Sequence, residues 1–221
     1  MSVAEKIQTI AQNEYKIFDA GKKSQYDEFW DDFQQNGERR NYYMTFYSRW
    51  NLGTWSDKTF QPKYPIICDG GANCDDVCRA MLYGCYGIRG EIKQAIVIKN
   101  TKMDTVFRDL PYVKAIHDLT LENITEVYMP FTYMLNLETL NIKGEIAVNG
   151  FDWKDSTKLN HDSIVKIIGV LSTNTSGLTV TLSLTAVNKA FETSVGANNG
   201  STSTEWTNLI ATKTNWTIAL A

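Results

Sequence analysis

The chain has 221 residues, 43% of them hydrophobic and 21% charged, enough apolar material to bury a core in one large domain or two small ones. Its formal net charge of −3, with Lys and Arg scattered among Asp and Glu, shows no basic face and argues against nucleic-acid binding. No stretch approaches the ~18 consecutive apolar residues that span a bilayer, which argues against membrane insertion.

The opening MSVAEKIQTIAQNEYKIFDAGKK is polar and periodic, without the apolar run of a signal peptide. Synthesis in a cytoplasm is therefore expected, with release by lysis or on a particle. Val3, Ile7, Ile10, Ile17 and Phe18 lie near helical spacing, but the stripe is thin. A thin stripe suits a helix packed against copies of itself, or docked on a partner, better than one capping a globular core. Residues 1–40 are accordingly expected to be a helical assembly or docking segment. Tyr26, Phe29, Trp30 and Phe33 continue the helical period to the turn-forming pair Asn36-Gly37.

Residues 41–67 are aromatic and punctuated by Gly and Pro, and are expected to form a connector and an N-terminal cap. From 68 to 160 a repeat emerges. Leu82-x2-Cys85-x2-Ile88 recurs as Phe107-x2-Leu110-x2-Val113, as Phe131-x2-Met134-x2-Leu137-x2-Leu140, and as Trp153-x2-Ser156-x2-Leu159. The anchor steps are 25, 24 and 22 residues, within the leucine-rich-repeat range of roughly 20–29. Each unit cannot bury its apolar edge alone, so the anchors should stack in one buried column. Leu140-x-Ile142 has the alternation of a strand.

Residues 161–221 read as a C-terminal α/β cap. Asn160 or Asp162 can cap a helix carrying Ile164, Ile167, Ile168 and Leu171. Leu178 to Leu184 alternates as a half-buried strand. Val187, Ala190 and Phe191, then Trp206, Leu209 and Ile210, mark two short helices. Trp216, Ile218 and Leu220 form a last strand. The expected fold class is thus α+β: a short leucine-rich-repeat β-solenoid between a helical N-terminus and an α/β cap.

The repeat ladder resembles the BspA-type leucine-rich repeats of bacterial surface proteins. The ending LNHDSIVKIIGVL…LTVTLS…NWTIALA and the opening DAGKKSQYDEFWDDFQQNGERRNYYMTFY…FQPKYPI are similar to the terminal segments of such proteins encoded in prophages of gut Firmicutes. The resemblance implies a phage tail or baseplate-associated protein of the receptor-binding kind and, because tail appendages often carry threefold symmetry, a trimer in preference to a dimer. One segment departs from the pattern: CDGGANCDDVCRAMLYGC is unusually rich in Cys and Gly.

That segment holds all four cysteines, Cys68, Cys74, Cys78 and Cys85. The gaps between them do not begin with the short loop of a zinc site, and no His lies nearby. Small buried side chains are the favoured reading, with one disulfide as the alternative. His117 and His161 show no nucleophile at triad spacing, since His161, Asp162 and Ser163 are explained by helix entry. The pairs Asp31-Asp32 and Asp75-Asp76 lack a ligand rhythm for calcium. No cofactor, metal or catalytic residue is expected. Tyr83, Tyr86, Tyr112, Tyr128 and Tyr133 fall between inward anchors and are the candidate ligand-binding residues, because exposed tyrosines stack on sugar rings or protein surfaces. The expected function is a non-enzymatic tail-fibre, receptor-binding or baseplate accessory component recognising a host-surface glycan or protein. A free bacterial adhesin or interaction module of the same fold is the alternative.

Overall fold

The computed structural model describes residues 66–69, 78–79, 81–84 and 88–221. The strands are β1 (Ile66–Asp69), β2 (Cys78–Arg79), β3 (Gly90–Ile92), β4 (Ile96–Lys99), β5 (Lys102–Asp104), β6 (Val113–Glu122), β7 (Glu126–Tyr128), β8 (Thr139–Gly144), β9 (Asp152–Trp153), β10 (Leu178–Leu182) and β11 (Trp216–Leu220). Among the described residues three α-helices accompany them: α1 (His161–Gly169), α2 (Leu184–Ala190) and α3 (Thr204–Ala211).

The strands form three sheets. One runs β1-β4-β6-β3 with β8 also on β6, a second runs β2-β5-β7, and the third runs β11-β10-β9. Among the described residues every pairing is parallel: Ile66 faces Ile96, Ile96 faces Leu119 and Leu119 faces Ile142. Parallel partners need long connections, and here each connection carries the turns that pass from the first sheet to the second and back. Ile96 and Ile98 of β4 and Leu119 and Leu121 of β6 alternate inward into the core. A register shift in β6 between Ile116 and Leu119 lets His117 and Asp118 both face outward, as a bulge does. Asn100 and Asn123 leave β4 and β6 with φ of 52° and 51°, and the amide of Asn123 donates to Oδ1 of Asn100 at 3.1 Å. The edge of β8 is closed by α1, where Ser163 Oγ accepts the Leu140 N–H at 2.8 Å.

The expected α+β leucine-rich-repeat solenoid is corrected by this architecture, which among the described residues is mixed α/β, with parallel strands in three sheets and three α-helices. The ring column itself is present. Phe107, Phe131 and Trp153 are fully buried, with centroids 5.3 Å apart for the first pair and 4.8 Å for the second. The hydrogen bonding does not follow that column to its end. Trp153 lies in β9, which pairs with β10 of the third sheet and not with β7. Apolar periodicity reports which side chains point inward; it does not report whether the backbone continues one ladder. The core also runs unbroken across residues 160 and 161, joining Leu140 and Ile142 to Ile164, Ile167 and Ile168.

Asn160 caps α1, its Oδ1 accepting the Ser163 N–H at 2.9 Å. Ser183 and Ser203 cap α2 and α3 in the same way, satisfying donors that a helix start leaves unpaired. The C-terminal end of α1 is closed from a distance. The buried ammonium of Lys213 donates to the carbonyls of Gly169, at 3.2 Å, and Leu171, a favourable place for a cation at a helix C-terminus.

Candidate functional site

The anchors Leu82, Phe107 and Phe131 are each followed by a turn. Two residues after Leu82, Phe107 and Phe131, the chain enters the left-handed region at Gly84 (φ 67°), Asp109 (φ 57°) and Tyr133 (φ 60°). The three positions are linked rung to rung. The Gly84 N–H donates to Arg108 O at 3.1 Å, and the Asp109 N–H donates to Thr132 O at 3.0 Å. Glycine accepts that conformation without strain, whereas tyrosine does not. Tyr133 is held there by its N–H bond to Asp155 Oδ2 at 3.0 Å.

These turns bring Tyr83 and Tyr133 to either side of Arg108. The guanidinium carbon lies 5.3 Å from the Tyr83 ring centroid and 5.9 Å from that of Tyr133, within cation–π range. Nη1 of Arg108 donates to the thioether of Met129 at 3.6 Å. Nε lies 3.9 Å from Asp109 Oδ2 and is buried without a hydrogen-bond partner. Tyr133 is 48% exposed and Met129 39%. Tyr112 is also exposed and belongs to a separate pair, with the Arg89 guanidinium 4.4 Å above its ring. Tyr128 is exposed at the end of β7, next in sequence to Met129.

Of the five expected tyrosines, then, Tyr83 and Tyr133 converge on one arginine, Tyr112 pairs with another, and Tyr128 adjoins the first group through Met129. Tyr86 lies outside the described residues, as do Val3, Ile7, Ile10, Ile17 and Phe18 of the expected assembly stripe. Cys68 is buried in β1; Cys74 and Cys85, and the side chain of Cys78, also lie outside the described residues. Arg108, Arg89 and Met129 were not anticipated. The available signal was the position of Arg108, directly after a ring anchor and one unit on from Tyr83.

The two histidines sit elsewhere. His117 Nε2 is 3.2 Å from Glu91 Oε2, beside the Lys143–Asp118 ion pair at 2.9 Å. His161 opens α1, with Nδ1 3.2 Å from Asp162 and Nε2 2.8 Å from Glu205 of α3. Its ring lies 4.6 Å from that of Phe191. Partial burial opposes its charge and is the largest single influence, but the hydrogen bonds and charges of Asp162 and Glu205 together outweigh it and raise the His161 pKa above 6.5. Ser163, two residues on, is bound to Asn160 and Leu140. Among the described residues no three His, Cys, Asp or Glu side chains converge as a metal site would require, and no helix is long and apolar enough to cross a membrane.

Comparison of the chain with family models, with characterised proteins and with solved structures gives no match.

Proposed function

We propose that this chain is a non-enzymatic component of a phage tail or tail-like particle, and that it recognises a glycan or protein on the host-cell surface. The observation that carries the binding reading is the surface around Arg108: two tyrosine rings and a thioether gathered on one guanidinium, with Tyr133 and Met129 open to solvent. Tyr, Met and Arg are the residues that recognition surfaces enrich, because they offer large contact area with polar ends. The strained φ of Tyr133 fits this use, since backbone strain is kept where a side chain must be aimed. The tail assignment rests on the similarity of the chain's two ends to prophage-encoded proteins. The N-terminal stripe is assigned to self-association, a trimer first, which would present several weak sites together and gain avidity.

The test is attachment of the full-length protein to purified host cell walls. Tyr133→Ala is expected to weaken attachment by about tenfold or more, in the range of hot-spot truncations, and Tyr112→Ala by less. Full attachment by both variants would move recognition away from this face.

A further inference from the structure

An arginine guanidinium carries five donors, and Arg108 has few acceptors for them. Among the described residues its side chain makes one hydrogen bond, to the Met129 thioether at 3.6 Å, and sulfur of this kind is a weak acceptor. Asp109 Oδ2 is 3.9 Å from Nε, beyond hydrogen-bond distance, and Nε is buried with no partner. The side chain is 26% exposed, so its donors are only partly compensated by water. A guanidinium kept in this state carries an unmet demand for an oxyanion.

From this we infer that Arg108 is the anion subsite of the tyrosine surface and takes the carboxylate or phosphate of an acidic surface glycopolymer. The inference rests on the binding reading given above and narrows its ligand. The planar fork of arginine matches a carboxylate or phosphate with two parallel hydrogen bonds. Tyr83 and Tyr133 flank that fork, so the sugar ring bearing the anion would find aromatic surface on either side. A neutral glycan would use the rings and leave the guanidinium unmet. The site is also a row and not a closed pocket. Tyr83, Arg108 and Tyr133 come from three successive rungs of parallel backbone, about 4.8 Å apart. A row of that kind accommodates an extended polymer with a repeating charge.

The experiment measures binding of the full-length protein to immobilised polygalacturonate, poly(glycerol phosphate) and neutral dextran, with polyglutamate as an acidic peptide. Wild-type protein is expected to bind at least one of the two acidic glycopolymers and not dextran. Preference between those two identifies the anion as carboxylate or phosphate. Arg108→Gln should lose binding by about tenfold or more, as expected when a charge-assisted hydrogen bond is removed. Arg108→Lys, which keeps the charge and loses the fork, should fall between. Unfolding of each variant monitored by circular dichroism separates a lost site from a lost fold. Equal binding by Arg108→Gln, binding to dextran as strong as to the acidic polymers, tighter binding to polyglutamate, or no binding to any polymer overturns the assignment. The two readings separate on cell walls. If Tyr133→Ala loses attachment and Arg108→Gln keeps it, the anion subsite falls and the binding surface stands. If neither loses attachment, the surface itself falls.

Discussion

At the scale of single residues, the molecule is organised by the rings of its core. Phe131 sits between Phe107 and Trp153 and also lies 6.3 Å from Phe151, with no exposed surface. Replacing it with alanine removes contacts on both sides and leaves a cavity that rigid neighbouring strands cannot close. Phe131→Ala is therefore expected to lower stability by about 3–5 kcal/mol, measured as a shift in the denaturant midpoint at unchanged slope. A variant unfolding with the parent would show that the column does not hold the core together. These rings were readable because a large aromatic recurring at a near-constant step has few places to go but inward. Arg108 was not readable. Its partners lie on neighbouring rungs, and which tyrosines meet it depends on the left-handed turns at Gly84, Asp109 and Tyr133. No local pattern marks Met129 and Tyr133 as bulky residues held at positive φ beside it.

Among the elements, the start of α1 at Asn160 was legible, the start of α2 at Leu184 fell inside the expected strand, and helix-to-helix ties were the least legible. Asn160, Ser183 and Ser203 cap their helices with side-chain oxygens, as that residue type does at such positions. The link from His161 in α1 to Glu205 in α3 joins residues far apart in sequence, so periodicity could not suggest it. It has a consequence for pH. The His161 pKa is raised above 6.5 in the folded protein, so the folded state binds the proton more tightly than the unfolded chain. The resulting stability is fully present below the unfolded pKa and is lost as pH rises through the higher folded value. Because the His161 side chain is 40% exposed, solvent screening keeps the contribution small. Thermal unfolding is expected to show a slightly higher Tm below pH 6.5 than well above the folded pKa. His161→Gln should remove the part of that difference due to this site. A variant keeping the whole pH dependence would assign it to other groups. Lys213 is a similar case, because its ammonium reaches the carbonyls at the end of α1 from beyond α3, and its sequence position looks like an ordinary surface lysine.

For the whole molecule, the inward-facing residues could be read from the sequence, while the assignment of strands to sheets could not. Strand alternation in β8, β10 and β11 and the spacing of the ring anchors follow from side-chain chemistry alone. The transfer of Trp153 into a sheet with β10 and β11 depends on long-range hydrogen bonding, and that is where the expected solenoid gives way to a mixed α/β architecture. The same separation of scales explains the surface. Core packing sets the rungs, the turns after each anchor aim the intervening side chains outward, and the outward set around Arg108 has the chemistry of recognition. The most direct test of that account is a glycan array probed with the full-length protein and with a Tyr83→Ala, Tyr133→Ala double variant of unchanged thermal stability. The account predicts that wild-type protein binds a restricted set of bacterial surface glycans, rich in acidic units, and that the double variant loses them. Binding by the double variant equal to wild type, or no glycan bound by either, would contradict it.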